Sequence, residues 1–135
     1  LALGNAMAIS GLNGTIHGLA MRSTRLPTDG DPMDFILGWL DTSTGEWVQA
    51  TDGNIGPDGS RAGFYNMTIA EFAQTYGDEG FEALLGAYGT DLANGEVWAI
   101  IDHNSSFAPL AIPEPGTVAL LAIGITSLML RRRVS

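Results

Sequence analysis

A chain of 135 residues provides one domain and little beside it. It has no cysteine, which excludes a disulfide framework, a thiolate nucleophile and a Cys-ligated metal site. Its net charge of −9 is unevenly placed: ahead of Pro113 stand 14 Asp and Glu against Arg22, Arg25 and Arg61, with no lysine. Such a surface repels DNA, RNA and anionic headgroups, so nucleic-acid binding is excluded first. It suits a chain that stays soluble outside the cell, or one that meets divalent cations or neutral polysaccharide.

In chain order, Leu1 to Ala8 has the character of the end of a secretory signal peptide, with Ala6-Met7-Ala8 as an A-x-A cleavage site. Residues 9–112 form the expected exported body. Ile9 to Arg25 is Gly-rich, with one irregular strand around Thr15 to Met21. Leu26 to Pro32 carries Pro27, Asp29-Gly30 and Asp31-Pro32, a dense turn signal. Phe35 to Leu40 and Glu46 to Ala50 read as a hairpin joined at Asp41 to Gly45, with Trp39 and Trp47 in a shared core. Thr51 to Gly63 reads as loop.

Thr68-Ile69-Ala70-Glu71 fits a capping box, and Ile69, Phe72, Ala73 and Tyr76 follow helical spacing up to Gly77. A second helix is predicted from Asp78 to Tyr88, presenting Phe81, Leu84, Leu85 and Tyr88 on one face. Glu96 to Asp102 is the strongest strand and is expected at the centre of a sheet. Asn104 to Ile112 reads as a tether. The predicted class is therefore α+β, a small antiparallel sheet with two short helices.

Chemistry-bearing residues in the body are few. Asp102-His103, followed by Ser105 and Ser106, is the most enzyme-like group, but sequence neighbours seldom assemble a hydrolytic triad, and no G-x-S-x-G elbow is present. A pocket converging on His103 would favour a hydrolase, whereas a structural module would leave His103 facing solvent. His17 and His103 lie far apart without H-E-x-x-H, which speaks against zinc. Asp29, Asp31 and Asp34, and Asp52, Asn54 and Asp58, are oxygen-rich clusters in loops, but neither fits the EF-hand pattern. The reading is a non-catalytic body with no metal and no cofactor. The alternative is a small exported hydrolase using Asp102, His103 and a nearby serine, its tail a plain membrane anchor.

The tail, residues 113–135, has three parts in order. Pro113-Glu114-Pro115 removes two backbone donors and favours an extended chain. Gly116 to Leu130 has no charged residue; its 15 residues would span roughly 22 Å as a helix, short of the roughly 30 Å hydrocarbon core. Snorkelling and local thinning can cover the difference. Arg131, Arg132 and Arg133 then set an N-outside, C-inside topology. A permanent anchor would share that topology; a sortase signal would need L-P-x-T-G, which is absent around Pro113.

This arrangement resembles the PEP-CTERM sorting signal of exported proteins from bacteria that make extracellular polysaccharide. The resemblance implies recognition of Pro113, Glu114 and Pro115 by exosortase, a polytopic membrane cysteine protease of transpeptidase type, with removal of the transmembrane helix. It implies contact with inner-membrane lipid before processing, then a place at the cell surface or in the extracellular matrix. Extracellular polysaccharide is a further partner suggested by the family's setting.

Overall fold

The computed structural model describes Leu3, residues 6–8 and residues 14–112. Among these lie strands β1 (Met7–Ala8), β2 (His17–Arg22), β3 (Phe35–Asp41) and β4 (Glu46–Gln49), then β5 (Gly63–Tyr65) and helices α1 (Ile69–Tyr76) and α2 (Phe81–Leu84). Strands β6 (Ala87–Asp91), β7 (Glu96–Ile101) and β8 (Ser106–Ala111) complete the order. The strands form two four-stranded sheets, β1-β8-β3-β4 and β2-β7-β6-β5. Every pairing is antiparallel except that of β5 with β6.

The alternation of β7 explains the layering. Successive strand residues point to opposite faces, and all six residues of β7 are buried. Val97, Ala99 and Ile101 join Leu37 of β3 and Phe107 of β8 in a core between the sheets. Trp98 and Ile100 face the other way, onto Phe72 of α1 and Leu84 of α2. The body is thus three layers deep, with one sheet against a second and the second against helices. It is sheet-rich with few helices, rather than one small sheet flanked by two. No helix among the described residues is long and apolar enough to cross a membrane; the predicted transmembrane helix, 116–130, lies outside them.

The predicted hairpin is present as β3 and β4. Asp41 closes its turn by accepting hydrogen bonds from the Ser43 amide at 3.0 Å and the Ser43 hydroxyl at 2.6 Å. Its register pairs Trp39 with Val48 and Leu40 with Trp47, so the two tryptophans face opposite sides of the sheet. Trp39 packs on the inter-sheet core, whereas Trp47 lines a cavity with Ile36 and Leu110. The expected shared core of the two rings does not form, because an odd and an even pleat position cannot share a face.

Helix α1 begins at the predicted cap, with the Glu71 carboxylate reaching back to accept from the Thr68 hydroxyl at 3.2 Å. The Thr68 hydroxyl accepts from the Glu71 amide at 3.2 Å, and the Ile69 amide donates to the buried Glu96 carboxylate at 2.8 Å. The second helix is much shorter than predicted. Gly86 adopts φ +94, a left-handed conformation that glycine takes without a Cβ penalty, and the chain then enters β6. Phe81, expected on a buried face, is 61% exposed.

The expected tether is the largest departure. Residues 106–111 are β8, seated between β1 and β3 with Phe107 and Ala108 fully buried. A proline inside a sheet is tolerated only where its missing donor leaves no ladder bond unmade. Pro109 meets that condition. Its carbonyl accepts from the Leu3 amide at 2.8 Å, and the N and C=O of one strand residue face the same edge. The absent N–H therefore points toward the β1 side, and the ladder with β3 stays whole. The stretch expected to be a signal remnant contributes β1, with Met7 opposite Phe107 and Ala8 opposite Ser106.

Candidate functional site

The two sequence-predicted sites sit on different parts of the chain, and only the one on the body lies within the described residues. At the end of β7, the Asp102 carboxylate accepts from the Ile55 and Gly56 amides, each at 2.7 Å. The Asp102 amide donates to the Asn54 side chain at 3.2 Å, and that side chain donates to the Ile100 carbonyl at 3.4 Å. Asp102 thereby pins the loop 54–56 to the sheet.

His103 turns away from it. Its Nε2 donates to the Ala50 carbonyl at 2.8 Å, a carbonyl being able only to accept. The ring is packed edge-on to Trp39 at 5.1 Å and against Phe107 at 5.5 Å. The Ser105 hydroxyl donates to the Leu40 carbonyl at 3.1 Å, and Ser106 pairs with Ala8 in the ladder. Asp102, His103 and the serines are neighbours in sequence whose polar atoms serve separate backbone partners. His103 is 4% exposed, so it is neither solvent-facing nor the focus of a cleft. A cavity of about 520 Å³ at Asp102 is lined also by Asp58, Glu82, Gly56 and Ile16, without His103.

The other candidate residues serve turns and pairs. Asp31 caps the turn Pro32–Asp34 by accepting from the Met33 amide at 2.9 Å. His17 is hydrogen-bonded through Nδ1 to the Thr15 carbonyl at 2.8 Å. No group of three or more His, Asp or Glu side chains among the described residues is placed to hold a metal ion. Arg61 lies along Glu79 at 2.8 Å and over the Tyr76 ring at 4.4 Å, and its hydrogen bond to Glu79 raises its pKa. Arg22 meets the buried Glu96 at 3.5 Å.

At the opposite end of the sheets the chain leaves the body. Ala111 faces Phe35 in the ladder, and the Ile112 amide donates to the Asp34 carbonyl at 2.7 Å. Pro113, Glu114, Pro115, Arg131, Arg132 and Arg133 follow, outside the described residues. A cavity of about 320 Å³ lies beside this exit, lined by Ile36, Trp47, Gln49, Leu110 and Ile112. Sequence reading missed that the fold runs up to the tripeptide. The signal was there: Phe107, Ala108 and Leu110 form a short apolar run bounded by Asn104-Ser105-Ser106, a pattern that fits a buried strand.

A layered body that ends abruptly in an uncharged apolar segment and three arginines has the organisation of an exported protein bearing a C-terminal sorting segment. Residues 111–133 match the family model of the PEP-CTERM protein-sorting motif. The tail is thus a sorting signal of the kind that exosortase processes, and such a signal marks an exported protein. Comparison with curated proteins and with solved structures finds no match.

Proposed function

We propose that this chain is a cell-envelope or extracellular-matrix protein whose body is a non-catalytic module delivered through its tail. Exosortase recognises Pro113-Glu114-Pro115 and removes the segment 116–130 together with Arg131, Arg132 and Arg133, which lie on the cytoplasmic side until then. The observation that carries this reading is the position of the 111–133 match against the end of β8. A cut beyond Ile112 removes no described strand of either sheet, so the released body keeps the core packed on both faces of β7. Matrix polysaccharide fits the acidic, lysine-free body better than any anionic partner does. The hydrolase alternative draws no support from Asp102, His103 and Ser105, whose polar atoms are engaged with backbone.

The test is delivery. Replacing Pro113-Glu114-Pro115 with three alanines leaves full-length protein in the inner membrane, while the unaltered chain yields a mature form whose C-terminus, read by mass spectrometry, falls near Pro115. Unchanged processing and surface delivery of the alanine variant would refute the proposal.

A further inference from the structure

The sorting match and the fold overlap. The match begins at Ala111, the last residue of β8, and Pro113 follows Ile112 directly. Both residues ahead of the tripeptide are held by the body: Ala111 lies opposite Phe35, and the Ile112 amide is bonded to the Asp34 carbonyl at 2.7 Å. Their partners are fixed in turn. Asp34 sits in the turn capped by Asp31, and the Phe35 amide donates to the Pro32 carbonyl. The Phe35 carbonyl accepts from the Thr90 hydroxyl of the other sheet at 2.5 Å. The tripeptide therefore leaves from a strand end clamped by both sheets, with no spacer.

An enzyme that acts on a peptide engages an extended stretch, commonly through main-chain hydrogen bonds and side-chain pockets. The Ile112 amide cannot bond to such a cleft while the Asp34 carbonyl occupies it, and Ala111 cannot leave the sheet to enter one while it stays paired beside Phe35. We propose that the folded body gates its own sorting: the processing enzyme acts when Ala111 and Ile112 peel away from Phe35 and Asp34. This inference rests on the sorting reading above. Strand ends open locally far more often than whole domains unfold, and one backbone hydrogen bond has a modest net worth. The gate therefore slows processing and does not forbid it.

The experiment follows precursor-to-mature conversion by pulse-chase of the full chain in its native cell. An eight-residue Gly/Ser insertion between Ile112 and Pro113 supplies a free approach and leaves the body's sequence intact. Conversion is expected to become faster by roughly five- to tenfold, the ratio that follows from releasing about one such bond. A second variant, Asp31→Ala, uncaps the turn that carries Asp34 and is expected to speed conversion by roughly twofold to threefold, with the body's protease resistance confirming that it folds. Conversion at the original rate in the insertion variant overturns the gate. The alanine replacement of Pro113-Glu114-Pro115 separates the two ideas. If it stops conversion while the insertion changes nothing, the sorting reading stands and the gate falls. If it leaves conversion unchanged, the sorting reading falls and takes the gate with it.

Discussion

The two sheets share a core but live in different surroundings. The sheet built on β7 has the other sheet on one face and α1 and α2 on its other face, and its central strand shows no solvent on either side. The sheet built on β8 and β3 turns one face to the core, while its other face is closed by its own side chains: Leu110 lies across Gly38, and half-buried Trp47 stands at the edge strand β4. Three tryptophans sample this difference, with Trp98 in the doubly covered sheet and Trp39 and Trp47 on the two faces of the other. The comparison implies that stability is concentrated around β7, while the sheet that carries the exit to the tail can be perturbed without loss of the body.

The largest expected effect is at Trp98. Its ring is fully buried, packed on Phe72 at 4.7 Å, and its Nε1–H donates to the Met67 carbonyl at 2.7 Å. A Cβ at Gly89, its cross-strand partner, would come within 2.5 Å of the ring, so the site is shaped to that side chain. Trp98→Ala should cost about 3–5 kcal/mol, a large share of a small domain's total. Urea unfolding of the body measures it directly.

Next in size is Asp102→Ala. The substitution removes two hydrogen bonds to a carboxylate and leaves the Ile55 and Gly56 amides without their partner, a loss of about 2–3 kcal/mol. Hydrogen exchange should show lost protection at Ile55 and Gly56 while the amides of β8 stay protected. Equal loss in both places would mean that the two sheets unfold as one unit and would break the comparison.

Trp47→Ala should cost much less, about 1 kcal/mol, since a half-buried ring returns only part of its area to water. The same substitution in the two sheets thus differs by several-fold, as read by paired denaturant midpoints. A comparable loss at Trp47 would show that the outer face of the β8 sheet is as closely packed as the helix-covered one.

These contrasts also explain what the sequence disclosed. The apolar run of β7, the hairpin at Asp41 to Gly45 and the cap at Thr68 are local features, and each lies where its pattern predicts. The tail was equally legible, because a sorting motif is recognised as linear sequence. What stayed hidden is non-local. Pro109 reads as a strand breaker until Leu3 is seen to occupy the edge where its donor is missing. Tyr88 continues the helical spacing of Phe81, Leu84 and Leu85, and only the register with β7 makes residues 87–91 a strand. Asp102 and His103 look catalytic because sequence places them side by side, whereas the fold directs one toward the 54–56 loop and the other toward Ala50.

The smallest expected effect lies at the β3–β4 turn, where the less protected sheet meets solvent. The Ser43 hydroxyl and then the Ser43 amide hold the Asp41 carboxyl below its ordinary pKa by bonding to its charged form. A carboxylate whose folded value lies below its unfolded one contributes stability above the unfolded value. That contribution is lost as pH falls through the lowered folded value, so the window sits below about pH 4. Asp41 is only partly buried and its bonds to Ser43 lie at the surface, where solvent screens them, and the contribution is correspondingly slight. Ser43→Ala should return the Asp41 titration, followed by carboxyl NMR, toward the ordinary aspartate range and flatten the acid limb of stability in that window. Trp98 fluorescence should remain unchanged at neutral pH, since the turn lies in the other sheet. If the Asp41 midpoint stays low without the Ser43 hydroxyl, the remaining amide bonds suffice to hold it, and the turn is set by backbone alone.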